Sequence, residues 1–131
     1  MGSILVVDDN STCRNSIVKI LEREGYDVRE ACSADVALEV LNGQAFDLMV
    51  CDYRMPGKSG LDLLAELHHR HVEMPVLMVS AFADSETVAN ASRLGAKGML
   101  HKPFRRQELV NKAYQAIHPP AAATTVPSEI L

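Results

Sequence analysis

The apolar residues of this chain cluster in five short runs that are separated by longer segments of mixed character. The runs span residues 4–7, 28–31, 48–51, 76–79 and 99–100. Runs that are apolar on both faces are typical of strands buried in a parallel sheet. The second run contains Arg29 and Glu30, so it predicts a strand at the edge of that sheet.

Each run is followed by a helix-length segment in which apolar residues recur three and four positions apart. These segments carry Cys13, Ile17, Ile20 and Leu21; Val36, Ala37, Val40 and Leu41; Leu61, Leu64 and Leu67; Val88, Ala91 and Leu94; and Leu109, Val110, Ala113 and Ile117. A strand followed by a helix, repeated five times, predicts a doubly wound α/β fold with helices on both faces of the sheet.

The amphipathic pattern ends at His118, where a segment rich in Pro, Ala and Thr begins. Such a composition is typical of a linker or a flexible tail. The sequence therefore predicts one domain over residues 3–117, followed at 118–131 by a flexible tail or a linker to an output module outside this chain.

Polar residues follow four of the five predicted strands at the point where each strand ends. They are Asp8 and Asp9 after the first, Asp52 after the third, Ser80 after the fourth and Lys102 after the fifth. In a doubly wound sheet these ends share one edge, where ligands bind. Three carboxylates in one cleft repel each other unless a cation is present, and ligand sets made only of oxygen favour Mg²⁺ over zinc.

A cation at this edge would leave one carboxylate able to attack phosphorus as a nucleophile. Lys102 and Ser80 are groups that can stabilise the charge growing on phosphoryl oxygens. A single Asp at a strand end is usually only a surface charge. Five such groups on four strand ends of one sheet are instead typical of a functional site.

Four motifs, in this order and spacing, connect the chain to a known family. They are Val6-Val7-Asp8-Asp9, Asp52-Tyr53-Arg54-Met55-Pro56-Gly57 with Gly60 after it, Ser80-Ala81, and Lys102-Pro103-Phe104. With them the chain resembles the response-regulator receiver domains of two-component signalling over residues 3–117. The resemblance implies a flavodoxin-like fold, with a five-stranded parallel sheet in the order 2-1-3-4-5 and five helices.

The resemblance also implies roles for individual residues. Asp52 is expected to accept the phosphoryl group, and Ser80 and Lys102 to contact its oxygens. Asp9 and Asp52 are expected to ligate Mg²⁺, with Mn²⁺ as a substitute, while Asp8 acts mainly through water. The backbone carbonyl of Arg54 would complete the protein ligands. The Lys102–Pro103 peptide bond is expected to be cis.

Three positions depart from the family pattern. Met99 stands where the family usually has an aromatic ring or His that turns inward when Ser80 moves toward the phosphate. Met99 is either a switch residue with a smaller energy gap between its two states, or filler of the core or of a partner surface. Arg54 and Phe82 stand at the two positions that tune the lifetime of the phosphoryl group. Neither aids an attacking water, so slow self-hydrolysis is predicted.

The expected function is a signalling switch that catalyses only its own phosphorylation and dephosphorylation. A phosphohistidine on a sensor kinase or phosphotransfer protein, or a small phosphodonor, would supply the phosphoryl group. The face formed by the fourth helix, fifth strand and fifth helix would then signal to an output domain or target protein. The alternatives are an aspartyl-phosphate phosphatase and an interaction module that works without phosphorylation, and a homodimer is left open.

Net charge, hydropathy and cysteine usage indicate which partners and which cellular location this chain is expected to have. Lys and Arg total 13 against 17 Asp and Glu, a net charge of −4, which argues against nucleic-acid binding by this chain. No apolar run is long enough to span a bilayer. Cys13, Cys32 and Cys51 lack paired spacing, and the start of the chain does not resemble a secretory signal. These features predict reduced thiols and a cytoplasmic location.

Overall fold

The computed structural model describes residues 2–81 and 85–118, in which five parallel strands alternate with five helices. The sheet order is β2-β1-β3-β4-β5, which confirms the predicted order and the edge position of the second strand. The elements are β1 (Ser3–Val7), α1 (Ser11–Arg23), β2 (Asp27–Ala31), α2 (Ala34–Gly43), β3 (Leu48–Asp52), α3 (Gly60–His69), β4 (Val76–Ser80), α4 (Ser85–Arg93), β5 (Gly98–His101) and α5 (Arg106–Ile117).

Alternating residues of the three central strands face two separate hydrophobic cores. In β1, Leu5 and Val7 pack against α2 and α3, whereas Ile4 and Val6 pack against α1 and α5. The same alternation runs through β3 and β4, in which all ten residues are buried. Burial on both faces explains why these strands lack the apolar and polar alternation of a sheet with one wet face.

Polar side chains and left-handed residues set the ends of the helices. Asn10, Ser33 and Ser59 each accept a hydrogen bond from a backbone N–H in the first turn of α1, α2 and α3. The residues that follow α1 and α4 include Gly25 and Gly95, whose φ angles of 95° and 101° favour glycine. These caps place the loops that carry the strand-end residues.

The last strand is longer than its apolar run indicates. Residues 99–100 were the predicted core of this strand, but β5 covers Gly98–His101 because β4 pairs with all four residues. Pairing partners therefore extended the strand beyond its hydrophobic residues. Phe82 and the tail at 119–131 lie outside the described residues, so the predictions made for them remain predictions. Within the described ranges, no helix has the length and apolar character needed to cross a membrane.

Candidate functional site

The predicted strand-end residues lie where the strand order reverses. β1 pairs with β2 on one side and with β3 on the other, and both pairings are parallel. Asp8 directly follows β1, and Asp52 is the last residue of β3. A crevice outside the carboxyl ends of two such strands is the usual ligand site of open α/β sheets.

Asp8 is buried, and its two carboxylate oxygens have different surroundings. Its side chain is 1% exposed, and Oδ1 accepts a hydrogen bond of 2.9 Å from the backbone N–H of Asn10. Oδ2 accepts no hydrogen bond within the described part of the chain, and its cationic neighbour is Lys102, with Nζ at 3.5 Å. A buried carboxylate oxygen in this state is costly unless a cation or water binds it.

Asp52 lies beside Asp8 and shares the same lysine. It is 7% exposed, and its Oδ1 lies 3.2 Å from the Lys102 Nζ. The lysine reaches this position because its backbone N–H donates to the carbonyl of Ser80, which extends the pairing of β5 with β4 by one residue. The Lys102–Pro103 peptide bond is cis. One ammonium therefore serves two buried carboxylates.

The third carboxylate, that of Asp9, completes a cluster that can hold a metal ion. One oxygen from each of Asp8, Asp9 and Asp52 lies within 4.8 Å of the others. Asp9 is exposed, so the cluster opens to solvent on one side. An all-oxygen donor set with an open side suits Mg²⁺, which keeps several of its waters. The orphaned Oδ2 of Asp8 agrees with this fit.

The surroundings of the cleft raise the pKa of both Asp52 and Lys102. Burial raises the pKa of Asp52, the nearby Asp8 carboxylate raises it further, and Lys102 only partly offsets them. Burial alone would lower the pKa of Lys102, but the attraction of Asp52 and Asp8 outweighs it and raises the pKa. Without a cation the cleft therefore has more negative charge than Lys102 can balance.

The remaining predicted site residues lie around this cluster. Ser80 is buried at the end of β4, one residue beyond Val79, the pairing partner of Asp52. Arg54 is exposed and lines an open cleft of about 550 Å³ together with Asp9. Met99 is partly buried in β5 and packs against the core beneath α2, α3 and α4. The structure thus brings Asp8, Asp9, Asp52 and Lys102 together, with Ser80 and Arg54 beside them.

Two residues at the site were missed by sequence reasoning. Arg14, in the first turns of α1, donates from Nη1 to the backbone carbonyl of Asp8 at 2.8 Å. Cys13, an apolar position of the first helix in the sequence pattern, lies close enough to Asp8 and Lys102 to interact with both. Burial first, and then the Asp8 carboxylate, raise the pKa of its thiol. Both residues occupy ordinary helix positions, so the linear pattern gives no signal for either.

Fold and site together define an open α/β protein whose acidic cleft, paired with one lysine, is suited to cation-dependent phosphoryl chemistry. Two known proteins from Pseudomonas aeruginosa are similar to the chain. The chain is 39% identical over 112 residues to chemotaxis protein CheY of Pseudomonas aeruginosa, which covers 83% of the chain and 90% of that protein. Response regulator protein PilR of the same organism is 35% identical over 130 residues, covering 97% of the chain.

Solved structures of receiver domains are also similar to the chain. The receiver domain of NtrX from Brucella abortus superimposes with a TM-score of 0.84 at 38% identity, covering 88% of this chain and 98% of that chain. A CheY-like receiver domain from Methanospirillum hungatei gives a TM-score of 0.86 at 28% identity, covering 94% and 98%. A sequence model of the response regulator receiver domain matches residues 4–114.

The chain therefore belongs to the response regulator receiver domain family. Members of this family are signalling switches rather than metabolic enzymes. The match to longer regulators is partial, because the chain spans only 29% of PilR and 64% of the transcriptional regulatory protein FixJ of Bradyrhizobium diazoefficiens.

Proposed function

We propose that the chain accepts a phosphoryl group on Asp52 and that this modification switches the surface formed by α4, β5 and α5. The observation that carries the proposal is the pairing of Asp52 with Lys102 at 3.2 Å, inside a cluster of three carboxylates that fits a divalent cation. A lysine with a raised pKa stays charged at neutral pH, so it can bind an oxygen of the incoming phosphoryl group.

The residues that would hold Mg²⁺, or Mn²⁺ in its place, are Asp9, Asp52 and the backbone carbonyl of Arg54, with Asp8 acting mainly through water. When bound, the cation supplies positive charge that offsets the three carboxylates and the phosphoryl oxygens. The carboxylate of Asp52 would then stay ionised, as a nucleophile must, because positive charge beside it would oppose the burial and the repulsion by Asp8 that raise its pKa.

Transfer of the phosphoryl group to Asp52 would need little rearrangement of the side chains in this site. An oxygen of Asp52 forms a bond to phosphorus as the bond to the donor breaks. The donor leaves with the electron pair of that bond, on nitrogen for a phosphohistidine and on oxygen for acetyl phosphate. Lys102 neutralises charge on the transferred oxygens from a position already fixed by the pairing of β5 with β4. Burial of Asp52 limits the access of competing water.

The switch is proposed to run from Ser80 to β5. Ser80 would move toward the phosphoryl group and vacate space near the end of β4. Met99 packs at the next strand, where it pairs with Met78 of β4, so it can respond to that movement. The new phosphoryl contacts shift a population between two packings of the α4-β5-α5 surface.

The phosphoryl lifetime is proposed to be long. Arg54 offers no carboxylate or amide to orient an attacking water, and the second position that tunes the lifetime, Phe82, lies outside the described residues. A half-life of seconds for the phosphorylated chain would contradict this proposal.

The proposed partners follow from the family. A sensor histidine kinase or a phosphotransfer protein would supply the phosphoryl group in the cytoplasm, and an output domain or separate target protein would read the switched surface. A homodimer through that surface is a further outcome to test by light scattering with and without phosphodonor.

Labelling of the chain with radioactive acetyl phosphate and Mg²⁺ tests the proposal directly. We expect one phosphoryl group per chain, sensitive to EDTA and absent from Asp52→Asn. Asp27→Asn, which removes an exposed carboxylate at the edge of the sheet, serves as the matched control and should label normally. Labelling that persists in Asp52→Asn would defeat the proposal.

A further inference from the structure

Arg14 connects three elements at the edge of the acidic cleft. Its Nη1 donates to the backbone carbonyl of Asp8 at 2.8 Å, and its Nε pairs with Glu30 of β2 at 2.9 Å. The side chain is only 17% exposed, although it lies in the first turns of a helix that faces solvent. A cation at this end of a helix is opposed by the helix dipole, so the two contacts explain its position better than local preference does.

The carbonyl that Arg14 holds belongs to the peptide that joins Asp8 to Asp9. A peptide unit is planar, so fixing its oxygen fixes the direction in which the chain continues toward Asp9. From the other side, the N–H of Asn10 donates to the Asp8 carboxylate at 2.9 Å. Arg14 and Asn10 therefore hold the Asp8–Asp9 segment between two hydrogen bonds.

Asp9 needs such support more than its neighbours do. It is exposed, and within residues 2–81 and 85–118 its carboxylate has neither a hydrogen bond nor an ion pair to hold it. Asp8 and Asp52, by contrast, are buried and share Lys102. The direction of the Asp9 carboxylate thus depends on its backbone, and that backbone follows the peptide that Arg14 holds.

We infer that Arg14 is a positioning residue for the cation site: it orients the Asp8–Asp9 peptide so that the Asp9 carboxylate points into the acidic cleft before the cation binds. This inference rests on the cation site proposed above. The guanidinium acts through its fixed fork, which reaches a carbonyl and a carboxylate at once, and a lysine ammonium cannot reproduce that geometry. Outer groups that orient metal ligands commonly change metal affinity by about tenfold or more.

The test is a titration of the full chain with MgCl₂ at constant ionic strength, followed through the backbone amide resonances of Asp9 and Asn10. We expect Arg14→Lys and Arg14→Gln each to weaken Mg²⁺ binding by roughly tenfold. Because Arg14→Lys keeps the charge, a loss in this variant separates positioning from simple charge. Labelling by acetyl phosphate in Arg14→Lys should recover when Mg²⁺ is raised to saturation.

Arg106→Lys is the matched control. Arg106 forms an ion pair of the same length, 2.9 Å, with Glu24 just after the far end of α1, and among the described residues it has no hydrogen bond or ion pair to a site residue. This variant should bind Mg²⁺ within about twofold of the unmodified chain, a margin set by the small worth of exposed pairs. Thermal unfolding in EDTA shows whether Arg14→Lys remains folded.

The outcomes separate the two proposals. Failure of the unmodified chain to bind Mg²⁺ would overturn both the cation site and the role of Arg14. Mg²⁺ binding of equal strength in the unmodified chain and in Arg14→Lys would overturn the role of Arg14 alone. The role of Arg14 would also be overturned if Arg106→Lys lost as much Mg²⁺ affinity as Arg14→Lys. The same holds if a fall in the thermal stability of Arg14→Lys accounted for its loss of affinity.

Discussion

The environment of Asp52 works against its charged form. This residue ends a fully buried strand and lies beside Asp8. It also shares the ammonium group of Lys102 with Asp8. Its raised pKa means that the folded domain binds this proton more tightly than the unfolded chain does. The contribution of this group to stability is therefore present below its ordinary pKa of 3.8 and is lost as the pH rises through the folded value.

Replacement of Asp52 by Asn should consequently stabilise the cation-free domain at neutral pH. We expect the free energy of unfolding to rise, because the amide carries no charge for burial and the Asp8 carboxylate to oppose. Urea unfolding in EDTA measures this change, and the gain should shrink as the pH falls through the raised folded pKa of Asp52 and disappear below 3.8, where Asp52 is protonated in both the folded and the unfolded chain.

Asp27→Asn removes the same formal charge from an exposed position and should change stability little. Addition of Mg²⁺ should stabilise the unmodified chain more than Asp52→Asn, because only the former keeps all three carboxylates. A cation-free Asp52→Asn domain that is less stable than the unmodified one would contradict the electrostatic account.

His71 is the one residue other than glycine with positive φ in the described ranges, at 58°. It follows α3 in a Schellman motif, in which its N–H donates to His68 and the N–H of Val72 donates to Leu67. Gly25 and Gly95 fill the equivalent positions after α1 and α4. Histidine in this conformation has a steric cost that glycine avoids.

The substitution His71→Gly should therefore stabilise the domain by about 0.5 to 1 kcal/mol, as measured by urea unfolding. His69→Gly makes the same change within the helix, two residues earlier, where glycine should destabilise by about 1 kcal/mol. If both substitutions changed the free energy of unfolding equally, the left-handed conformation of His71 would not be the cause of the effect there.

At the scale of elements, the close approach of α3 to the end of β3 shapes the site. Gly60, the first residue of α3, donates its N–H to the carbonyl of Tyr53 at 2.8 Å. A Cβ at Gly60 would overlap the backbone carbonyl oxygen of Asp52 and lie 2.7 Å from the Met78 Cε. The helix can therefore pack against the strand end only because this residue has no side chain.

The substitution Gly60→Ala should push the carbonyl of Asp52 away from its present position. We expect a loss of about 1 to 3 kcal/mol in the free energy of unfolding, typical of overpacking, together with slower labelling by acetyl phosphate. Gly43→Ala, at the end of α2, is the control, because a Cβ there meets nothing within 4 Å. Normal labelling in folded Gly60→Ala would refute the link between this contact and the site.

At the scale of the whole molecule, the two poles of the sheet have different roles. The carboxyl ends of the strands hold the acidic cleft, whereas the opposite pole carries a cavity of about 1090 Å³ between the starts of β4 and β5 and the end of α5. If phosphorylation repacks the α4-β5-α5 surface only at the cleft end of the sheet, residues just before β4 at the opposite pole should keep their environment.

Methyl NMR of the methionines tests this division. Addition of Mg²⁺ and beryllofluoride, a phosphoryl mimic, should shift the methyl resonance of Met99 in β5. Met74 lies just before β4 at the opposite pole and serves as the internal control, with little change expected. A Met99 resonance that stays unchanged while the mimic is bound would assign this residue to the packing of the core alone.

The sequence by itself determined the elements and the class of chemistry. Apolar runs define strands because burial on both faces excludes polar residues, and the three-and-four spacing defines helices because it makes one apolar face. The residues that end the strands also indicated a cation and a phosphoryl group, since carboxylates, a hydroxyl and an amine on one edge suit that chemistry. The apolar pattern did not predict the full length of β5. Its run covers only residues 99–100, whereas pairing with β4 extends the strand to Gly98 and His101.

Only the tertiary structure decided how these groups share the cleft. The division of Lys102 between Asp8 and Asp52, the orphaned oxygen of Asp8 and the support from Arg14 depend on distances between segments that are remote in sequence. Hydrophobic patterning specifies which face of an element is buried, but it does not specify which side chains meet across a loop. Packing fixes those contacts, and with them the electrostatics of the site.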